Sequence, residues 1–460
     1  MNLIYGIKDK PKFAQMLLFA FQQVLAILAA TIAVPSIIGN GMSQSAALFG
    51  AGVGTLVYQL FTKRNSPVFL GSSFAFIGSM FAAFGGAASV SAGYAGLIFG
   101  AVFAGLVYVV IALVIKAVGV NWINKLMPPV VIGPTVAIIG LSLAPNAVGD
   151  LTTGKVMQQV VNQVVVDGQI VDQVSNVSAC SPYVALICGL ATLFAVILFS
   201  VYGKKMAKLI PFILGILVGY VVAAIFTVIG IFTNNVALQV IDFSVFANMQ
   251  IFAVPDFTFI EALKGVKEID GAFIATVAVA YVPVAFVVFA EHIADHKNLS
   301  TIIGQDLLAE PGLHNTLLGD GVGSIAGAIF GGCPNTTYGE SVGCVAITRN
   351  ASVATITTTA ILCIVISFFG PYVTFLASIP NCVMGGVCIT LYGFIAVSGL
   401  KMIQQVNLGA SKNLFVAAVI LIAGIGGLSV SFGKVTLTSI ACALILGILT
   451  NVMLSKAQED

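Results

Sequence analysis

Three carboxylic acids sit where the chain is otherwise apolar. Glu291 and Asp295 fall in FVVFAEHIADH, and Glu340 falls in GGCPNTTYGESVGCVA. An acid at bilayer depth costs at least about 2.5–3.5 kcal/mol on insertion scales, so such groups face a cavity or carry a proton, and they mark function. Glu291 and Asp295 stand four residues apart, share one helix face and are placed to pass a proton between them. His292 points about 100° away from Glu291, and His296 is expected at the cytoplasmic boundary; both read as packed or interfacial side chains. No cation adjoins either glutamate, since Arg349 follows Glu340 by nine residues. Two carboxylates suit a neutral ligand rich in N–H donors, because each accepts paired hydrogen bonds. A proton suits them as a coupling ion.

The elements that position these acids follow from composition. Of 460 residues, 59% are hydrophobic and 8% charged, whereas soluble domains carry about a quarter charged residues. An all-α polytopic membrane protein is predicted. Apolar stretches of spanning length cover 14–39, 45–62, 67–86, 93–118, 123–147, 182–201, 208–232, 271–294, 314–331, 333–349, 351–370, 374–399, 412–430 and 434–455, fourteen in all. The polar start MNLIYGIKDKPKF does not read as a cleavable signal. The eight cysteines are scattered singly without CxxC spacing, as small core residues rather than a disulfide frame or metal site. No cofactor and no nucleic-acid partner is expected.

An even count of spans puts both termini on one side. With a cytoplasmic N-terminus, fifteen of the nineteen Lys and Arg fall inside and only Lys155, Lys264, Lys267 and Lys434 outside, a strong positive-inside bias. Two outside loops are long. NQVVVDGQIVDQ reads as a hairpin turning at Asp167-Gly168. The second, 233–270, contains Asp256 and Glu261 and reads as a solvated connector with an amphipathic piece.

Two stretches resemble each other: PVFLGSSFAF (67–76) and CPNTTYGE (333–340) each place a Pro, two hydroxyl residues and an aromatic in sequence. PPVVIG (128–133) and IPNCVMGG (379–386) form a second pair, each with a Pro five residues before a Gly. An odd number of spans per half makes the repeats inverted, and matched Gly/Pro-interrupted spans point to a transporter's midplane site. Pro and β-branched residues disfavour helix here. Extended backbone at membrane depth leaves amides unpaired at several kcal/mol each, so the two stretches are expected to pair side by side, with helix N-termini open to a ligand.

LGSSFAFI, AEHIADH, DLLAEPGLHNTLLGDGVGSIAGAIFGG and PNTTYGESVGCVAITR together resemble the uracil permease branch of the nucleobase–ascorbate transporter family, over nearly the whole chain. The resemblance implies fourteen segments in two inverted repeats of seven, with short antiparallel strands in the third and tenth. It implies a core domain of 1–122 and 271–370 and a gate domain of 123–232 and 371–460. It further implies that Glu291 and Glu340 hydrogen-bond the pyrimidine ring, that Gly339, Tyr338, Phe74 and Ser73 supply amides or ring packing, and that Ala30 lines the site. A homodimer is also implied. Two positions depart from the family pattern. Asp295 stands where a His is common one helical turn after the glutamate, and Gln23 stands where the first span often carries His. Gln23 can hold a base carbonyl or N–H but is no ionic switch.

The expectation is therefore a proton-coupled uracil importer in the inner membrane, with uracil and a proton as ligands and Asp295, Glu291 and Glu340 in proton coupling. The alternatives are a purine or xanthine:proton symporter of the same fold and an anion exchanger. A membrane enzyme is suggested only by GAGVGT (50–55), which reads better as a helix-packing surface. No ring of repeated charges suggests a channel.

Overall fold

The computed structural model describes residues 3–119, 122, 127–166, 169–204, 206–247, 249–432 and 435–455. The turn residues Asp167 and Gly168, and Lys125, Lys205, Lys434 and Lys456 of the charge count, lie outside these. The protein is mostly helical, as lipid requires of a chain that must satisfy its own amides. Seven described helices are long and apolar enough to cross a membrane: Phe13–Ile38, Val90–Val118, Pro129–Asp150, Pro182–Tyr202, Pro211–Phe232, Gly271–Ile303 and Asn381–Ile403. Phe74–Gly85, Val353–Ile366, Ser411–Ile425 and Ser439–Met453 are shorter apolar helices.

The chain forms two compact units. The first comprises Met1–Ser142, Phe252–Phe369 and Tyr392–Asp460. Grouped by packing in this way, it takes in the helices Pro129–Ser142 and Ser439–Met453, which the resemblance assigns to the gate. Its elements around the acids are α1 (Phe13–Ile38), α2 (Gln44–Phe61), β1 (Leu70–Ser72), α3 (Val90–Val118), α4 (Gly271–Ile303), α5 (Leu313–Gly331), β2 (Asn335–Thr337) and α6 (Gly339–Thr348).

Helices α2 and α5 touch backbone to backbone. A Cβ at Gly50 would fall 2.5 Å from the Gly327 carbonyl oxygen, and one at Gly54 would fall 2.8 Å from that of Gly323. GAGVGT is thus a packing surface in α2, where small residues let two helices approach closely. Before α1 the chain is tied down. Ile4 N–H donates to the Arg349 carbonyl (2.8 Å), and Ala351 N–H to that of Tyr5 (2.9 Å). Leu3 and Ile7 pack onto a buried cluster that includes Tyr58, Val68, Leu70, Leu299 and Val342.

The 233–270 loop corrects one expectation. Thr258–Gly265 is a helix with a Glu261–Lys264 pair on its open side. It is docked rather than solvated: Ala262 is buried, and a Cβ at Gly265 would strike the backbone of Ser91 and Ala92 at the start of α3.

The second unit comprises Leu143–Ile251 and Gly370–Leu391. Its hairpin pairs Met157–Val166 with Gln169–Ser178 in one antiparallel register from Met157↔Ser178 to Val166↔Gln169, as β-branched alternation favours. Helices Pro182–Tyr202 and Pro211–Phe232 pack through Gly215 and Gly219 against Val196 and Thr192.

Candidate functional site

The two stretches alike in sequence are the two that pair. β1 and β2 run antiparallel, with Leu70 opposite Thr337, Gly71 opposite Thr336 and Ser72 opposite Asn335. The pairing continues past both ends through Ser73 N–H to the Pro334 carbonyl (2.9 Å) and Tyr338 N–H to that of Phe69 (3.2 Å). Side chains meet the remaining needs. Leu70 N–H donates to Thr55 Oγ1 (2.9 Å), Phe69 N–H to Ser341 Oγ (3.1 Å), and Asn335 Nδ2 to the Gly50 carbonyl (2.9 Å). The extended backbone is buried, and the amides of Phe69, Leu70, Ser73 and Tyr338 all find acceptors within the protein, as backbone inside a membrane protein requires.

Both strands lead into helix starts, at Phe74–Phe76 and at α6. The first amides of α6 have no intrahelical acceptors, and Glu340 lies in that first turn. Gly339 is exposed there.

α4 packs against both β2 and α6, which brings its acids to the strand tips. Thr337 Oγ1 donates to Asp295 Oδ2 (2.8 Å). The Cβ position of Gly339 lies 3.9 Å from Asp295 Oδ1. Glu291 is within electrostatic reach of Asp295, Asp320 and Glu340. All three expected acids are half-buried, as groups facing a cavity are. Glu291 and Glu340 accept no hydrogen bond from another side chain, and no Lys or Arg joins them among the described residues.

The other expected residues divide. Phe74 is half-buried with its ring edge-on to Tyr392, centroids 6.1 Å apart. Ala30 and Ser73 are buried in α1 and beside β1. Gln23 is buried, and its Nε2 donates to Ser341 Oγ at 2.6 Å, so this amide braces α1 against α6 one residue from Glu340. Tyr338 is turned into the protein: its hydroxyl donates to the Ser72 carbonyl (2.7 Å), and its ring fills the space where a Cβ of Gly71 would stand. Its ring and amide are both used to hold β1 to β2.

His296 is the packed side chain of the two expected alternatives. It is fully buried, packed rather than interfacial, with Nε2 2.8 Å from the Tyr58 hydroxyl and Nδ1 2.8 Å from the His292 carbonyl. The sequence reading also passed over Asp320. This acid in α5 is fully buried, with Oδ2 2.6 Å from His292 Nδ1. The signal was present as an acid among glycines in LLGDGVGS, but a run so rich in small residues reads first as helix packing.

Comparisons with known proteins agree in kind. A family model described as "Permease family" matches residues 14–432. A uracil permease of Bacillus caldolyticus is 38% identical, covering 98% of this chain and 94% of the relative. One of Bacillus subtilis (strain 168) is 35% identical, covering 99% and 96%. Among solved structures, the transmembrane domain of a cyanobacterium bicarbonate transporter superposes with a TM-score of 0.62 at 16% identity, covering 97% of this chain and 100% of that one. At that identity the likeness shows a shared fold. With a model match over nearly its whole length and full-length relatives above 30% identity, the chain belongs to the permease family.

Proposed function

We propose that this protein is a proton-coupled importer of uracil. The observation that carries the reading is the pair of half-buried glutamates, Glu291 and Glu340, within electrostatic reach of each other, with no cation and no side-chain donor joined to them among the described residues. Uracil offers two ring N–H donors and two carbonyl acceptors. The carboxylates of Glu291 and Glu340 accept its N–H groups, and the open amides at the start of α6 donate to a carbonyl. The Phe74 ring packs against the pyrimidine face. The full-length relatives whose names specify uracil support the same ligand.

The carboxylate set also explains the coupling. Glu291, Asp295 and Glu340 lie within electrostatic reach of one another as half-buried like charges, and burying unpaired charge is costly. A proton bound from outside to one of them reduces that charge before uracil binds. Inward movement of one charge at 100 mV contributes about 2.3 kcal/mol, which corresponds to about fifty-fold accumulation. The fourteen-segment inverted repeat supplies alternating access, as a core of 1–122 and 271–370 moves against a gate of 123–232 and 371–460. Both termini then lie in the cytoplasm of an inner-membrane homodimer.

The test is a thermal-shift and binding screen of purified protein against nucleobases. Uracil is expected to stabilise the wild type, and Glu340→Gln is expected to remove that response. Near-native uracil affinity in Glu340→Gln refutes the site, and competition by xanthine but not uracil refutes the substrate. Asp295→Asn is expected to weaken the pH dependence of uptake more than binding; an unchanged pH dependence removes Asp295 from coupling.

A further inference from the structure

We propose that His292 and Asp320 form a proton-binding site of their own, closed off behind the substrate carboxylates, and that the proton they share is exchanged during transport. Its role in transport rests on the proton-coupled reading above; the existence of the pair does not.

Both side chains are fully buried, with His292 Nδ1 and Asp320 Oδ2 2.6 Å apart. Two lone pairs do not approach so closely, so a proton lies between these atoms. The other ring nitrogen decides the total charge. His292 Nε2 is 3.0 Å from Thr316 Oγ1, and that hydroxyl has the Leu313 carbonyl, 3.1 Å away, to donate to. A carbonyl only accepts, so Thr316 is free to accept from Nε2–H. The pair then holds two protons and is neutral as a unit, whether written imidazole and carboxylic acid or imidazolium and carboxylate.

The reverse arrangement, with Thr316 donating to a bare Nε2, leaves a net anion sealed in the protein. Its surroundings oppose that. Asp320 Oδ1 is buried without any donor. The ionisable groups around the pair are Glu291, Asp295 and His296 from α4, Tyr58 from α2 and Tyr108 from α3, with Glu340 of α6 next beyond Glu291. None is a fixed cation. His296 stacks on His292 at 4.1 Å, but its Nδ1–H is held by the His292 carbonyl and its Nε2 by the Tyr58 hydroxyl. The Tyr58 hydroxyl also donates to Ser66 Oγ (2.7 Å), so it does not fix the state of that ring nitrogen. No carboxylate pairs with His296 among the described residues, and an unpaired buried cation is costly, so His296 supplies no charge.

A carrier for that proton stands near, hydrogen-bonded to neither acid in this conformation. The Tyr108 hydroxyl is buried without a partner, as Asp320 Oδ1 is, and lies within electrostatic reach of both Asp320 and Glu291. Once a rearrangement brings the three groups into hydrogen-bond contact, Glu291 gives its proton to the phenol oxygen and the phenol proton passes to Asp320 Oδ1, one O–H bond breaking and one forming at each step. Tyr108 is left neutral and the charge has moved from the pair to the substrate carboxylate. The pocket is then anionic while the store is full.

Purified full-length protein in liposomes carrying an internal pH dye tests the role. The wild type is expected to move protons with uracil, and Asp320→Asn is expected to lose proton movement far more than uracil exchange. Proton movement in proportion to uracil at the wild-type ratio in Asp320→Asn overturns the proposal. Nitrogen-15 NMR of the histidine-labelled wild type keeps the test alive if that variant does not fold, since the chain has three histidines. His292 is expected to hold a protonated Nε2 and a strongly hydrogen-bonded Nδ1, and to lose one shared proton as pH rises. A bare Nε2 at every pH overturns the proposal. A wild type that takes up no uracil overturns the functional reading instead and leaves the spectrum to decide the pair.

Discussion

Gly71→Ala is a single methyl group placed where the site is most tightly built. The Cβ would stand inside the contact distance of the Tyr338 ring, which is itself buried and held by its hydroxyl bond to the Ser72 carbonyl (2.7 Å). The ring has to shift, because Gly71 is fixed opposite Thr336 in the strand pair. Overpacking of this kind costs about 1–3 kcal/mol, and loss of the hydroxyl bond adds about 1 kcal/mol. If the sum of about 2–4 kcal/mol falls on the conformation that binds, uracil affinity drops by about thirty- to eight-hundred-fold. Equilibrium binding of labelled uracil to the purified variant reads this directly. The reasoning assigns the cost to one ring, so Tyr338→Val serves as a second background. In a double-mutant cycle Gly71→Ala is expected to cost almost nothing once the ring is gone, with a coupling energy of about 2–4 kcal/mol. Equal costs in both backgrounds would falsify the claim that Tyr338 is a clamp on β1.

Other outcomes follow from the same contacts. Glu340→Gln and Glu291→Gln each replace an acceptor-only group by one that also donates, and each is expected to lose about 1.5–3 kcal/mol of uracil binding, about ten- to hundred-fold in Kd by titration. Ser341→Ala strands two buried donors, Gln23 Nε2 and Phe69 N–H; a loss of about 1–3 kcal/mol for each is expected as a lower melting temperature without uracil, and an unchanged midpoint refutes the brace. Burial pushes the Lys155 amine below the ordinary lysine range, with Asp242 opposing. Its folded form therefore binds its proton less tightly than the unfolded chain does, and stability rises with pH through the window just below the ordinary lysine value. Lys155→Met is expected to melt higher than wild type at neutral pH, with the gap closing as pH approaches that value; a constant gap across the titration counts against the assignment.

How far the site was legible depends on whether a residue's role is local. Glu291 and Asp295 were found because an acid in an apolar helix is conspicuous and an i, i+4 spacing fixes a common face. The strand pair was found because Pro334, Thr336 and Thr337 weaken helix, and unpaired amides in lipid demand a partner. Asp320 was missed because its partner, His292, lies 28 residues away and no local spacing joins them. For Tyr338 the resemblance implied an amide or ring packing at the site, and sequence gives the side chain but not its rotamer. Its direction is set by the missing Cβ at Gly71, on the other strand.

By itself, then, the sequence determined that this chain lives in lipid as helices, where the helices break, and that acids stand near one break. Those are consequences of hydropathy, backbone propensity and the cost of buried charge, all of which act within a short window. Only the tertiary structure decided which polar groups meet: Gln23 with Ser341, Thr337 with Asp295, His292 with Asp320. Such pairings depend on how α1, α4, α5 and α6 cross, and a one-residue rotation of any of these helices would exchange every partner while leaving its hydropathy unchanged.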